Sequence, residues 1–211
     1  MTIKVLMIDV DGVIVVHPHP HGWSVNLERD LGLARDTLQA AFFESHFNDV
    51  LHGRAALRER LGLVLQQIAP HLTCNQLIEY WFAHDSNLNL DLLQQLGRAK
   101  LRGLKLHLAT VQEHERAEFL WRKLGLVEQF DAIHYAADIG WAKPAPQFFA
   151  EVERRSGFAP SEIFFIDDRI DNIEAARNRG WHAAAWTGEN TLDDLLENAG
   201  VSSTLALPSL T

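Results

Sequence analysis

Residues 3–9 read Ile-Lys-Val-Leu-Met-Ile-Asp, a short and mostly apolar run that ends in a carboxylate. A run of this kind is typical of a parallel strand that is buried on both of its faces. Similar short apolar runs recur at residues 105–109, 132–136, 163–167 and 182–186. We therefore expect these segments to form the strands of one parallel sheet.

Segments with helical periodicity lie between these predicted strands, at about residues 113–124, 145–156, 170–179 and 189–198. Strands that alternate with helices favour a parallel sheet covered by helices on both faces. The predicted fold class is therefore α/β, a doubly wound parallel sheet in a Rossmann-like three-layer core.

Residues from about 22 to 86 interrupt this alternation, because they contain only helix-like periodicity, such as the spacing of Leu57 and Leu61. We expect residues 22–86 to form a small helical cap, and residues 1–21 and 87–211 to form the core. The cap is inserted after the first strand. Since the ligand crevice of an open α/β sheet lies outside the carboxyl ends of the strands, such a cap can close over it.

The composition is that of an ordinary globular protein, with 47% hydrophobic and 22% charged residues in a chain of 211. This length suffices for one well-buried α/β domain with a smaller appendage. No apolar run is long enough to span a bilayer, and the N-terminal residues lack the pattern of a secretory signal. We therefore expect a cytoplasmic protein without a membrane partner.

The charge and the cysteine content disfavour several other classes of protein. A formal net charge of −9, without a run of Lys or Arg, argues against binding to nucleic acid. Cys74 is the only cysteine, which excludes an intrachain disulfide and leaves too few ligands for a thiolate metal site. The sequence also lacks a Gly-rich loop of the P-loop or dinucleotide-binding type. Its chemistry must therefore come from other side chains.

Polar side chains with catalytic potential follow the predicted strands or, in one case, precede the fourth strand. They are Asp9, Asp11, Thr110, Lys143, Asp167 and Asp168. The carboxyl ends of parallel strands meet at one edge of the sheet, where ligands of open α/β proteins bind. Gly12 gives the backbone the freedom to turn sharply after the first strand. We therefore expect these groups to converge on a single pocket.

This set of groups contains each part that phosphoryl transfer requires. Asp9 can act as the nucleophile, and Asp11 can protonate the leaving oxygen and later take a proton from water. Thr110 can donate its hydroxyl to a phosphate oxygen, while Lys143 neutralises charge. The carboxylate of Asp168 completes an oxygen-rich site of the kind that Mg²⁺ prefers. The residues thus predict metal-dependent phosphoryl transfer.

Four short motifs containing these groups occur in order within residues 3–187. They are Ile8-Asp9-Val10-Asp11-Gly12-Val13, Leu108-Ala109-Thr110, Gly140-Trp141-Ala142-Lys143-Pro144 followed by Phe148, and Phe165-Ile166-Asp167-Asp168-Arg169-Ile170-Asp171-Asn172. The ordered set resembles the haloacid dehalogenase superfamily, in its phosphatase-like branch with a helical cap after the first strand.

The resemblance implies a Mg²⁺-dependent phosphohydrolase that acts on a small phosphorylated metabolite. The reaction would pass through an aspartyl-phosphate intermediate on Asp9. The implied magnesium ligands are Asp9, Asp168 and the backbone carbonyl of Asp11. Asp167 and Asn172 are the implied supporting residues.

Two positions depart from the motifs of similar proteins, although neither departure removes a catalytic group. Val111 stands where many relatives have Asn or another polar residue, but its backbone N–H remains available to a substrate. Ala145 replaces a residue that is commonly acidic.

In the predicted cap, Arg54 lies in a loop that in similar proteins can face the substrate. The expected substrate contacts are therefore Thr110, Val111, Lys143 and Arg54.

Several residues have a structural interpretation beside the catalytic one. Thr110 can instead cap a helix that begins near Gln112, and Asp167 can serve chiefly to orient Lys143. The segment His17-Pro18-His19-Pro20-His21 clusters imidazoles, but its prolines favour an extended flap beside the active site over a dedicated metal site.

Other functions remain open from the sequence. A phospho-receiver module uses similar groups, but it has its acceptor on the third strand and no helical insertion. A scaffold that binds Mg²⁺ and a partner without turnover is disfavoured by the complete catalytic set. Asp11 argues against a dehalogenase, which has an aromatic residue there, whereas a phosphomutase is poorly separated from a hydrolase. The phosphate ester, the oligomeric state and the order of residues 201–211 stay undecided.

Overall fold

The computed structural model describes residues 2–17, 19 and 22–200. The strands in this part of the chain are β1 Val5–Ile8, β2 Lys105–Thr110, β3 Ala132–Tyr135, β4 Ile163–Asp167 and β5 His182–Ala185. They form one parallel five-stranded sheet in the order β3-β2-β1-β4-β5. The predicted strands and the doubly wound α/β fold class are confirmed.

Helices connect the strands and build the segment between β1 and β2. They are α1 Leu27–Leu31, α2 Arg35–Leu38, α3 Phe47–Leu51, α4 Leu57–Ile68, α5 Cys74–His84, α6 Leu90–Leu101, α7 His114–Glu118, α8 Ala136–Ile139, α9 Pro146–Ser156, α10 Ile170–Asn178 and α11 Leu192–Asn198. Short π-helical segments and 3₁₀ turns complete the connections. They are the π-helical Gln39–Phe43 and Phe119–Lys123 and the 3₁₀ turns Gly22–Asn26, Leu126–Glu128 and Pro160–Glu162.

The predicted helices of the core are present as α7 with its π-helical extension, α9, α10 and α11. The last of them begins at Leu192 instead of near residue 189, because the Thr191 side chain accepts the N–H of Asp194 at 3.1 Å and caps the helix there. Helix α6 was not predicted. Its start carries the same kind of signal, since Oδ1 of Asn89 accepts the N–H of Leu92 at 3.1 Å.

Alternate side chains of β1 enter two different apolar clusters, one on each face of the sheet. Leu6 and Ile8 pack in the cluster that contains side chains of α6 and α11. Val5 and Met7 pack in the cluster that contains side chains of α9 and α10. All four side chains are fully buried, which explains why the N-terminal run of the sequence is apolar without alternation.

The register of the central strands determines where the carboxylate of Asp9 lies. Ile8 of β1 pairs with Leu108 of β2 on one side and with Ile166 of β4 on the other. Asp9 follows directly, and its backbone N–H donates to the carbonyl of Ile166 at 2.9 Å. The residue after β1 is therefore level with the last residues of β2 and β4, at the carboxyl edge of the sheet.

A third apolar cluster lies within the segment that connects β1 to β2. Its buried residues run from Leu27 to Phe82, and they include the periodic leucines of α4. The rings of Trp23 and Trp81 stack at its edge with centroids 5.3 Å apart. A separate cluster is what a cap requires, while the division into residues 22–86 and the two core segments stays a prediction.

The chain passes from the sheet into this segment after β1 and returns before α6. These two chain crossings lie side by side. The N–H of Val16 donates to the carbonyl of Asn87 at 2.9 Å, and the N–H of Asn89 donates to the carbonyl of Ile14 at 2.8 Å.

The flap predicted at residues 17–21 falls partly outside the described residues, and residues 201–211 lie wholly outside them. Among the helices that are described, none combines the length and the hydrophobicity needed to cross a membrane.

The buried histidines of β2 and β3 should make the fold sensitive to acid. His107 Nδ1 lies 3.1 Å from His134 Nε2, and burial lowers the pKa of both, that of His134 from 6.5 to about 4. Because the unfolded chain then binds the proton more tightly, stability is lost as the pH falls from about 6.5 towards 4. We expect wild type to lose roughly 2–3 kcal/mol more unfolding free energy than His134→Gln over this range.

Urea unfolding at pH 8 and pH 4 measures this difference. His71→Gln, which removes an exposed histidine of the inserted segment, is the matched control and should follow wild type. Equal losses in wild type and His134→Gln would contradict the prediction.

Candidate active site

The ammonium group of Lys143 lies between two carboxylates at the carboxyl edge of the sheet. Its Nζ is 2.9 Å from Oδ1 of Asp9 and 2.5 Å from Oδ2 of Asp167, and all three side chains are buried. Burial alone lowers the pKa of Lys143, but the charges and hydrogen bonds of Asp9 and Asp167 raise it above its usual value. Lys143 is therefore held as a cation inside the protein.

The carboxyl group of Asp9 is in an environment that disfavours its charge. Burial raises its pKa to about 7, the positive charge of Lys143 opposes this shift, and the charges of Asp167 and Asp11 add to it. The backbone N–H of Val10 donates to Oδ1 of Asp9 at 2.7 Å and orients the group. Further positive charge beside Asp9 would stabilise its ionised form.

Asp167 is fully buried and its oxygens are occupied by donors. Nδ2 of Asn172 lies 2.9 and 3.0 Å from its two oxygens, and the N–H of Arg169 donates to Oδ1 at 2.9 Å. With Lys143 on Oδ2, this carboxylate is saturated. The geometry agrees with the interpretation that Asp167 orients Lys143.

Carboxylate oxygens of Asp9, Asp167 and Asp168 lie within 4.8 Å of one another, as ligands of a shared cation do. Because Asp167 is saturated, Asp9 and Asp168 remain for a metal ion. Gly12 adopts a φ of +80°, and a Cβ atom there would lie 2.4 Å from Oδ2 of Asp168. Only glycine therefore lets the backbone after Asp11 approach this carboxylate. The donor set fits a hard divalent cation.

A cavity of about 500 Å³ opens over these groups. It is lined by Asp9, Asp11, Gly12, His17, Val111, Lys143, Asp168, Arg169 and Asn172. Most of the predicted site residues thus meet around one space. Thr110 and Asp167 are fully buried and do not line it. Arg54 does not line it either, since its exposed guanidinium pairs with Asp49 at 2.9 Å.

Thr110 ends β2, and the helix that follows begins later than the capping alternative requires. Helix α7 starts at His114, and its N-cap is Glu113, whose carboxylate accepts the N–H groups of Glu115 at 2.8 Å and Arg116 at 2.5 Å. The interpretation of Thr110 as a helix cap is therefore wrong. Its hydroxyl instead accepts a long hydrogen bond of 3.4 Å from Nε2 of Gln112.

Gln112 and Arg169 also lie at the site, without a site role predicted from the sequence. Gln112 is buried and its Nε2 donates to Oδ2 of Asp11 at 2.7 Å. Arg169 lines the cavity, and so does His17 of the segment predicted to lie beside the active site. Arg169 lies in the last motif, which was a usable signal, whereas nothing in the sequence pattern connects Gln112 with Asp11. Desolvation chiefly raises the pKa of Asp11, and the negative charge of Asp85 adds to this shift.

A family profile described as haloacid dehalogenase-like hydrolase matches residues 3–180. The chain belongs to this family. Human haloacid dehalogenase-like hydrolase domain-containing protein 3 is 30% identical over 54% of this chain and 45% of that protein. Fructose-1-phosphate phosphatase YqaB of Escherichia coli is 36% identical over 35% of this chain and 39% of that protein. The matches thus span less than half of the length of the curated relatives.

Solved structures of the haloacid dehalogenase family share this fold. The family enzyme bt-2542 from Bacteroides thetaiotaomicron, crystallised with magnesium and inorganic phosphate, superposes with a TM-score of 0.75. The superposition covers 92% of this chain and 98% of the other, at 18% sequence identity. At this identity the likeness establishes the architecture alone.

A buried arginine connects the haloacid dehalogenase core to the inserted segment. Arg116 of α7 is the largest fully buried side chain among the described residues. It donates to the carbonyl of Asp85, lies 3.2 Å from Oδ2 of that residue, and packs 5.3 and 5.4 Å from the ring centres of Phe82 and Phe119. His17 Nε2 lies 2.9 Å from Oδ1 of Asp85. Both chain crossings are thereby tied to α7.

Replacing this arginine should destabilise the protein strongly. We expect Arg116→Met to lower the unfolding free energy by roughly 3–5 kcal/mol, because it leaves the buried carboxylate of Asp85 without its cation. Arg122→Met is the matched control, since Arg122 is exposed and pairs with Glu118 at 2.9 Å on the surface. The control should cost less than about 1 kcal/mol in urea unfolding. Similar losses in both variants would refute a structural role for the buried pair.

Proposed function

We propose that this haloacid dehalogenase-like hydrolase is a Mg²⁺-dependent phosphatase that acts on a small phosphorylated metabolite through an aspartyl-phosphate intermediate on Asp9. The observation that carries the proposal is the position of Lys143, whose ammonium contacts Asp9 and Asp167 beneath the cavity. This geometry lets one fixed cation stabilise both the nucleophile and the phosphoryl group that it receives.

The carboxylates of Asp9 and Asp168 and the backbone carbonyl of Asp11 would hold the magnesium ion. The carboxylates of Asp9, Asp167 and Asp168 lie close together with Asp11 nearby, and the Lys143 ammonium pairs with only two of them, so a dication would offset much of the excess negative charge. Bound there, Mg²⁺ supplies the positive charge that lets a carboxylate approach a phosphate dianion. The magnesium and phosphate in the crystals of bt-2542 support the same choice of ion and substrate class.

The proposed reaction has two steps. In the first, an oxygen of Asp9 bonds to phosphorus while the bond to the leaving oxygen breaks, and Asp11 gives that oxygen a proton. In the second, water attacks the phosphorus, Asp11 takes a proton from it, and the bond to Asp9 breaks to release inorganic phosphate. Lys143 and the N–H of Val111, which line the cavity, would hold the phosphoryl oxygens, and the buried hydroxyl of Thr110 would donate to them from behind the cavity wall.

Residues 22–86 would act as a cap over this cavity. The segment has its own apolar cluster, and its two crossings lie next to each other, as a hinge requires. A cavity of about 500 Å³ suits a substrate of metabolite size. The name of the relative YqaB, a fructose-1-phosphate phosphatase, is consistent with such a substrate. The carboxylate of Asp11 disfavours a dehalogenase, and the position of Asp9 directly after β1 disfavours a phospho-receiver.

Replacement of the nucleophile should abolish turnover. We expect Asp9→Asn to lower phosphate release at least roughly 10³-fold, because an amide cannot form the acyl phosphate. Release is measured on a panel of phosphorylated metabolites with Mg²⁺ and with a chelator, which should also remove the activity until Mg²⁺ is restored. Mass spectrometry of acid-quenched wild type should detect phosphate on the peptide containing Asp9.

Asp36→Asn is the control for this experiment, since Asp36 has a side-chain exposure of 94%. It should retain wild-type activity. Full activity of Asp9→Asn on the best substrate would show that the nucleophile is assigned wrongly.

A further inference from the structure

The side-chain amide of Gln112 joins the two residues that the proposed mechanism uses for proton transfer and for phosphate binding. Its Nε2 donates to Oδ2 of Asp11 at 2.7 Å and lies 3.4 Å from Oγ1 of Thr110. Asp11 follows β1 and Thr110 ends β2, so the amide connects two neighbouring strands at the carboxyl edge of the sheet.

The surroundings of Gln112 restrict the movement of its side chain. The residue is 5% exposed, and its backbone carbonyl accepts the N–H of Ala137 at 3.1 Å, which fixes the loop after β2 against α8. A buried amide with a fixed backbone has few rotamers available. The donor is therefore held in place before a substrate arrives, at no cost during the reaction.

One hydrogen of the amide controls the orientation of the Asp11 carboxyl group. Asp11 is exposed to the cavity, so without a partner its carboxyl group could rotate about the bond between Cβ and Cγ. The hydrogen bond from Gln112 holds Oδ2 as an acceptor. Oδ1 is then left as the oxygen that exchanges a proton with the leaving group and with water.

The second hydrogen of the same amide acts on Thr110. When the Thr110 oxygen accepts from Nε2, its own hydrogen is free to point elsewhere, because a hydroxyl is both a donor and an acceptor. In the proposed mechanism that hydrogen is donated to a phosphoryl oxygen. At 3.4 Å this bond is weaker than the one to Asp11, so the main effect of Gln112 should be on Asp11.

We propose that Gln112 is a positioning residue, which orients Asp11 for proton transfer and, to a smaller extent, Thr110 for phosphate binding. The inference rests on the proposed phosphatase function. Gln112 lies outside the four motifs, because it follows Thr110, the last residue of the second motif, by two positions. Gln112 itself touches neither the phosphorus nor the leaving oxygen.

The experiment compares two substrates that differ in their need for an acid. An alkyl phosphate has a basic leaving oxygen that must be protonated, whereas p-nitrophenyl phosphate releases a stable phenolate that needs little help. The measured quantity is kcat/KM, which includes the steps up to departure of the leaving group and excludes hydrolysis of the aspartyl phosphate. The alkyl substrate is the best one from the metabolite panel.

Gln112→Met keeps the volume of the side chain and removes its donor. We expect its kcat/KM for the alkyl phosphate to fall roughly 10–100-fold, part of the 10²–10⁴-fold that a general acid contributes, and its value for p-nitrophenyl phosphate to fall less than about 3-fold. The ratio of the two values, taken on one enzyme sample, does not depend on the folded fraction. Impaired folding therefore cannot imitate the result.

Gln129→Met is the matched control. Gln129 also uses Nε2 as a donor, to the carbonyl of Leu93 at 2.5 Å, but it lies before β3 at the opposite edge of the sheet. Its substitution should leave the ratio of the two kcat/KM values at the wild-type level.

Asp11→Asn separates this inference from the proposed function. If Asp11→Asn changes the ratio and Gln112→Met does not, the positioning role of Gln112 is wrong while the role of Asp11 stands. If Asp11→Asn lowers both values equally, the acid role of Asp11 fails, and the inference about Gln112 falls with it. A selective loss in both variants supports the two together.

Discussion

A single buried ammonium group between two carboxylates organises the carboxyl edge of the sheet, where the candidate active site lies. Lys143 contacts Asp9 after β1 and Asp167 at the end of β4, so it ties two neighbouring strands together where the cavity opens. Removing water from three charged groups is costly unless each is paired and hydrogen-bonded. Asn172 and the N–H of Arg169 meet this condition for Asp167, which explains why the last motif needs more than its acidic pair.

Two further sets of contacts extend from this centre. Gln112 links Asp11 to Thr110, so the ends of β1 and β2 are connected by an amide as the ends of β1 and β4 are connected by an ammonium. Arg116, four residues beyond Gln112, holds Asp85 at the crossing into the inserted segment. The loop and helix after β2 thus carry both a contact to the carboxylate of Asp11 and the attachment of the predicted cap.

The fold was largely predictable because its signals are local. The apolar run of β1 is buried on both faces, and each core helix repeats its apolar residues with the period that packing on a sheet demands. The residues of the candidate site could be predicted because the carboxyl ends of parallel strands lie at one edge of the sheet. The sequence pattern does not single out helix α6, although Asn89 caps it, and it allows Thr110 as a cap where the structure uses Glu113. The residue at which such a helix begins depends on which of several polar side chains reaches the free N–H groups of its first turn.

Sequence spacing was enough to predict the parallel sheet, and the four ordered motifs carried the resemblance to the haloacid dehalogenase family that the profile match confirmed. It was not enough to find Gln112 beside Asp11, or to show that Arg54 pairs with Asp49 and does not line the cavity. The reason is physical. A strand or helix is set by the period of its own residues, whereas a hydrogen bond between residues about 100 positions apart exists only after register and packing have brought the strands together.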